Sequence, residues 1–250
     1  LFYEREKENM YQFQSKIRYS EVGTDDKLRL DHLVGYFQDV STLQSEELGI
    51  GVEFMTPRHE AWIMVSWQVI VDRYPKDGEE IVVSTWPYGF KGFYGFRNFM
   101  MKTVGGEVLA YANSFWVFMD TEKNRIKKVP PEILTAYEMG EKLDMEYADR
   151  KIHFEDMELA EFPGVPVRRA WIDTNFHMNN IRYIELAMEY LSEQDTVRQV
   201  RCEYRNMAKL GDEIHPYVAK KDSRVVVVLQ NAKGEVFVVV EFLLTTKPLQ

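Results

Sequence analysis

The apolar pattern of this chain changes period from helical to strand-like twice, in the same order each time. An extended stretch at Ile17–Tyr19 leads into Gly23-Thr24-Asp25-Asp26-Lys27. Leu30, Leu33, Val34, Phe37 and Val40 then recur at i, i+3, i+4, i+7 and i+10, the spacing of one helix face. Gly49 and Gly51 stop that pattern, so the spacing predicts a helix over Leu30–Leu48. The period then drops to two. Trp62–Val71 places Ile63, Val65, Trp67, Val69 and Val71 on one face, and Glu80–Trp86 follows the turn Pro75-Lys76-Asp77-Gly78. Tyr94–Thr103 and Val108–Met119 flank Gly105-Gly106, the mark of a hairpin.

The second half repeats this in fewer residues. Val165–Val167 is extended, Asp173-Thr174-Asn175 turns, and Ile181, Ile184, Met188 and Leu191 mark a helical face within Asn180–Leu191. Four strand-like runs follow, Val197–Tyr204, Glu213–Ala219, Arg224–Leu229 and Val236–Leu244, with turns at Gly211-Asp212 and Gly234-Glu235. Gly106-Glu107 and Gly234-Glu235 read as equivalent turns, and Tyr36 with Tyr183, like Asp26 with Asp173, as equivalent helix positions. A helix followed by an antiparallel meander buries its apolar stripe when the sheet curls around it. The expected class is α+β, two tandem helix-on-sheet units: residues 1–134, a linker at 135–161, and residues 162–250. The linker is polar, with a short helix expected around Tyr137–Leu143.

Composition narrows the function classes. Hydrophobic residues make up 45% and charged residues 28% of 250, a globular balance rather than a disordered one. No apolar run approaches the roughly 20 residues of a membrane helix, so no membrane span is expected. The opening Leu1-Phe-Tyr-Glu-Arg-Glu-Lys-Glu8 lacks the order of a secretory leader. The only cysteine, Cys202, rules out an internal disulfide; together these point to a cytoplasmic location. No Cys/His cluster has zinc spacing, so neither a metal nor another cofactor is expected. A formal net charge of -9 argues against nucleic acid as a partner.

Polar side chains crowd into Asp173–Asn180, just before the second helix. Helix capping by Asn179 or Asn180 accounts for part of this. It leaves unexplained the alternate positions of Asp173, Asn175 and His177, which an extended turn aims to one side. A helix N-terminus favours a developing oxyanion, and a neighbouring imidazole or carboxylate can activate water.

At this point the chain resembles a family. The ordered segments Thr85-Trp-Pro-Tyr-Gly-Phe-Lys91, Gly95-Phe-Arg-Asn-Phe99, Phe115-Trp-Val-Phe-Met-Asp-Thr121 and Lys127-Lys-Val-Pro130, followed by Asp173-x-Asn175-x-His177-x-Asn179-Asn180-x-x-Tyr183 and Glu203-Tyr204-Arg205, resemble the acyl-acyl-carrier-protein thioesterases over about residues 11 to 246. The resemblance implies a double hotdog fold, two antiparallel sheets each wrapped around a long helix, and hydrolysis of fatty acyl thioesters on acyl carrier protein without a cofactor. It implies Asp173, Asn175 and His177 as catalytic residues: Asn175 holding the carbonyl or the water, His177 orienting or deprotonating that water, Asp173 supporting either or acting as base. It places the acyl tunnel chiefly in the first repeat, where Trp62, Met64, Trp67 and Phe118 are the lining candidates. Arg168 and Arg169, just ahead of the site, are the candidates for receiving the acidic carrier protein.

One departure stands out. Plant-type members carry Arg-Glu-Cys after Glu-Tyr-Arg, whereas this chain carries Asn206-Met207-Ala208. A cysteine nucleophile and a second carboxylate are thereby excluded at those positions, leaving Asp173 with His177, or Glu203 as a substitute; Asn179 and Asn180 are auxiliary candidates. The rival functions are an acyl-CoA thioesterase on the same fold and a non-catalytic acyl-binding module. Two units make an internal pseudo-dimer, so a monomer would be complete and a homodimer is the other expectation.

Overall fold

The computed structural model describes residues 10–245. The chain divides into two compact units, one holding the chain up to Val65 with Asp72–Tyr147, the other Ser66–Val71 with the chain from Ala148 onward.

The first unit contains β1 (Tyr11–Lys16), α1 (Leu30–Glu47), the single turn α2 (Val52–Met55), the first part of β2 (Glu60–Val71), β3 (Glu80–Lys91), β4 (Tyr94–Thr103), β5 (Val108–Asp120), the short β6 (Arg125–Ile126) and α3 (Pro131–Ala136). The order across its sheet is β1-β3-β4-β5-β2, and the β1–β3, β3–β4 and β4–β5 pairs are antiparallel. Leu33, Val34, Phe37 and Val40 are fully buried, as the spacing predicts, and the Phe37 ring centre lies 5.5 Å from that of Phe99 on β4. Each such side chain stabilises by about 1.5–3 kcal/mol, so packing of this stripe holds α1 in place.

The second unit contains β7 (Ala160–Glu161), β8 (Val165–Pro166), α4 (Asn180–Met188), β9 (Thr196–Tyr204), β10 (Glu213–Lys221), β11 (Arg224–Gln230) and β12 (Val236–Thr245). Its order is β9-β12-β11-β10-β7, with β8 also on β10. The end of β2 belongs here, antiparallel to β9 with Trp67 opposite Cys202 and Val69 opposite Val200. Period-two alternation sorts β9 into two faces. Val200 and Cys202 are buried, and the Tyr204 hydroxyl donates to the Asn180 carbonyl at 3.0 Å, so these residues face α4. Arg201 and Glu203 face the other way, toward the connecting segment.

The repeat extends to individual backbone hydrogen bonds. Gly23 N–H donates to Lys27 C=O as Asp173 N–H does to His177 C=O, both at 2.9 Å. Leu28 bonds Pro75 as Met178 bonds Ala208, and Arg29 bonds Glu21 as Asn179 bonds Trp171. Asp26 and Phe176 both have φ of 62°. The turn equivalence of Gly106 and Gly234 holds, through bonds to Thr103 and Asn231. The same bonds correct the two other equivalences: Asp173 corresponds to Gly23, not Asp26, and Tyr183 to Leu33, not Tyr36. Counting back from the helix starts at Leu30 and Asn180 sets this register.

Two further expectations change. The second helix stops at Met188, not Leu191, because Leu191 N–H reaches only Met188 C=O and Ser192 N–H is taken by the Asp195 carboxylate at 2.9 Å, closing a turn. The helix expected around Tyr137–Leu143 is absent; the short helix lies earlier, opened by Pro131 in its first turn. Tyr137–Leu143 is instead tied to its own unit, with Gly140 N–H on Pro87 C=O and the Trp86 indole donating to Glu141 C=O at 2.7 Å. A β-carbon on Gly140 would stand 2.2 Å from the Trp86 ring, so this close approach requires glycine.

Candidate active site

The loop ahead of α4 is built by backbone and side-chain bonds that its own residues supply. A single 3-10 turn, Arg169–Trp171, buries Trp171, and the strand-like bridge Ile172–Met178 closes the loop at its base. Within it, Phe176 N–H donates to Asp173 C=O at 3.1 Å and the Asp173 carboxylate accepts from Asn175 N–H at 2.8 Å, an Asx turn. Phe176 sits in the left-handed region and is 80% exposed. A phenylalanine there is uncommon, because the left-handed conformation disfavours side chains with a β-carbon. Asp173 and His177 are half-buried and Asn175 is exposed. The structure thus gathers Asp173, Asn175 and His177 in one tight loop.

The flanking residues support the loop. Asn179 is the N-cap of α4, its side-chain oxygen accepting from Ile181 N–H at 3.0 Å. Its carbonyl accepts from Arg182 N–H, so the chain itself takes up part of the helix terminus. Asn180 opens α4 and offers its carbonyl to Tyr204. The loop after β9 leans against the site through Met178 N–H to Ala208 C=O, and Ala208 N–H donates to the Tyr183 hydroxyl at 2.8 Å. Burial pushes the Tyr183 phenol up to about 12, keeping it neutral. Tyr204 and Ala208 were not distinguished by sequence reasoning as supports of this loop; the signal was the motif Glu203-Tyr204-Arg205, whose middle residue does the contacting.

The residues of β9 and the loop after it have surroundings of their own. Glu203 is not brought to the loop. It lies on the face of β9 away from α4, where its carboxylate accepts from Ile152 N–H at 3.0 Å and pairs with Arg205 at 3.1 Å. Cys202 is a buried strand residue, its thiol pushed up to about 12 by burial, which removes the thiolate a nucleophile needs. Met207 is exposed and Ala208 buried.

The chain-lining candidates divide between the units. Trp62 meets Phe118 edge-on at 5.0 Å in the first unit, and Phe118 packs with Ile50, Met55, Val129, Ile133 and Tyr137. Met64 is buried. Trp67 belongs to the second unit, so the three residues of β2 do not share one surrounding. Arg168 and Arg169 are exposed, and the Arg168 guanidinium lies 5.1 Å from the Trp171 ring centre.

Residues 8–137 match the acyl-ACP thioesterase N-terminal domain, and residues 154–241 the acyl-ACP thioesterase C-terminal domain. An acyl-acyl-carrier-protein hydrolase of Cuphea viscosissima is 27% identical over 226 residues, 83% of this chain and 54% of the relative. A palmitoyl-acyl carrier protein thioesterase of Arabidopsis thaliana is 27% identical over 206 residues, 76% of this chain and 50% of the relative. The chain spans about half the length of the curated relatives it matches. Among solved structures, an acyl-ACP thioesterase from Bacteroides thetaiotaomicron superposes with a TM-score of 0.86 at 18% identity, covering 96% of this chain and 99% of that one. The 12:0-ACP thioesterase from Umbellularia californica gives 0.82 at 20% identity, covering 95% and 98%. These likenesses bear out the α+β double hotdog fold. With domain matches across both units, the chain belongs to the acyl-ACP thioesterase family.

Proposed function

We propose that this protein hydrolyses fatty acyl thioesters of acyl carrier protein, releasing free fatty acid and the carrier thiol and so ending chain elongation. The observation that carries this reading, beside family membership, is the loop that presents Asp173, Asn175 and His177 together ahead of α4. In the reaction, water adds to the thioester carbonyl carbon. His177 takes the water proton, the C–S bond breaks, and the proton passes to the departing thiolate. Asn175 holds the carbonyl oxygen as charge builds on it; its side chain is exposed, while its backbone N–H is engaged by Asp173. Asp173 shapes this turn with one carboxylate oxygen, and its negative charge favours the protonated imidazole formed in the step. Trp62, Met64 and Phe118 are the acyl-lining residues of the first unit. Arg168 and Arg169 are the exposed cations ahead of the loop that meet the acidic carrier protein. The single, buried Cys202 supports a reducing, cytoplasmic setting.

The test is thiol release from a panel of acyl-carrier-protein and acyl-CoA substrates, with wild type and His177→Ala. Release that prefers the carrier protein and collapses in the variant supports the proposal. Equal use of CoA thioesters would redirect it to the acyl-CoA reading, and no release from either to a binding module.

A further inference from the structure

Phe176 stands at a backbone position that suits it badly. Its φ is 62°, and the left-handed conformation brings a β-carbon close to the following carbonyl, a crowding that Asn and Asp tolerate best. The first unit supplies an internal comparison. Asp26 has the same φ, and its N–H donates to Gly23 C=O at 3.1 Å as that of Phe176 does to Asp173 C=O. One turn thus carries a residue suited to it in the first unit and an aromatic in the second. Packing does not account for the aromatic. Phe176 is 80% exposed, so its ring has almost no packing among the described residues. It is also not solitary. Met207 and Leu210 are 43% and 54% exposed in the loop after β9, which the Met178–Ala208 bond of 2.8 Å ties to this one. Strain kept at an exposed position is read toward function, and an exposed apolar patch toward contact.

The place of Phe176 in the chain narrows what it touches. It lies between Asn175 and His177, so its Cα is about 3.8 Å from each of theirs. A thioester has an acyl side and a thiol side. One carried by a macromolecule stays joined to it through the thiol side, which therefore runs out through solvent, where the Phe176 ring stands. We propose that this ring packs on the pantetheine arm, the chain of methylene and amide groups next to the thioester sulfur that carrier protein and coenzyme A share. Phe176 is then a specificity-determining residue, favouring thioesters that bear the arm over those that lack it, and the strained turn is what presents it. The inference rests on the reading of the His177 loop as the thioester site.

The test compares two dodecanoyl thioesters, one of pantetheine and one of ethanethiol, which has no arm. The ratio of their kcat/KM values should fall about 5- to 30-fold in Phe176→Asn, the loss of a partly buried ring, and stay within about twofold of wild type in Phe176→Tyr. Phe176→Asn should also melt about 2–4 °C higher, because the turn then holds a residue it suits. A structural ring would move Tm the other way. An unchanged ratio in Phe176→Asn, an equal fall in Phe176→Tyr, or a lowered Tm in Phe176→Asn overturns the proposal. Dodecanoyl carrier protein and dodecanoyl-CoA separate the two sources of the arm: both should lose alike in Phe176→Asn, and a loss confined to carrier protein would replace the arm contact with one to the protein body. Wild type without turnover, or turnover that survives in His177→Ala, removes the thioester reading and this inference with it; turnover that His177→Ala abolishes, with an unchanged ratio in Phe176→Asn, removes the inference alone.

Discussion

Replacing Asp173 separates its two contributions. Its carboxylate accepts from Asn175 N–H at 2.8 Å and so holds the turn, and in the proposed mechanism its charge also acts on the imidazole. Asp173→Asn keeps a side-chain oxygen at the same reach and removes only the charge; Asp173→Ala removes both. The lost turn bond is a solvent-exposed one, so it should cost about 0.5–1.5 kcal/mol. In a chain of this size that lowers Tm by only a few degrees, about 2–4 °C per kcal/mol. A base or its partner contributes roughly 10²–10⁴-fold to turnover. Asp173→Asn should therefore retain the wild-type Tm within about a degree and lose about two orders of magnitude in kcat or more, whereas Asp173→Ala adds the small loss in Tm. Thiol release from an acyl-carrier-protein substrate, followed with a thiol reagent, gives kcat and KM, and calorimetry gives Tm. If Asp173→Asn turns over at the wild-type rate while folded, the charge has no part in the chemistry and the assignment fails.

Other expectations are briefer. His177→Ala and Asn175→Ala should each lower kcat by about 10²-fold or more with unchanged circular dichroism; wild-type rates in both would dismiss the loop as the site. Glu203→Gln should keep full turnover, because Glu203 holds Ile152 and Arg205 on the far face of β9, and a collapse in kcat with intact folding would contradict that placement. Reversing Arg168 and Arg169 to Glu should raise KM for carrier-protein substrate more than for acyl-CoA, and more at low salt than at high; equal losses with both substrates would argue for a structural role. Arg73 holds the Glu79 and Glu107 carboxyls below their ordinary value of 4.5 through hydrogen bonds. Their folded pKa values lie below the unfolded ones, so this stabilisation is present above about 4.5 and fades as pH falls through the folded values. Arg73→Met should thus flatten the acid side of the Tm–pH curve, and an unchanged curve would refute it.

Strand positions were legible because one face of each sheet is buried and β-strands carry that fact at period two. Tyr94–Thr103 matches β4 at both ends for this reason. Helix α1 was equally legible from its stripe. What escaped was set by partners distant in sequence. Ser66–Val71 looks like the plain continuation of its strand, and only pairing with β9 assigns it to the second unit. The connecting segment reads as polar linker, yet Ile152 is buried with Val226, Val228 and Val239, and Arg201 and Arg224 share the Glu241 carboxylate beneath it. A period-two pattern reports that Glu203 lies on the opposite face from Tyr204, but not which of the two faces meets α4.

The two loops that precede the helices explain why the candidate site stands out in the sequence while the register between the units does not. Both have the same backbone course, down to a residue at φ of 62° and the same bridging bonds, yet one carries Gly23, Asp25 and Lys27 where the other carries Asp173, Asn175 and His177. The conformation is therefore not a product of the Asp173, Asn175 and His177 side chains. It is imposed by the strand-like bridges at the loop base and by the helix that follows, which both units possess. Gly23 forms the bond to Lys27 without any side chain, so the Asp173 position tolerates loss of its carboxylate in this fold. The shared loop makes position-by-position comparison of the units informative, and it singles out the second loop as the one where an acid, an amide and an imidazole occupy positions that the first fills otherwise. If the proposed mechanism holds, its chemistry rests on three side chains carried by a scaffold that stands without them, so substitutions at Asp173, Asn175 and His177 should separate activity from folding.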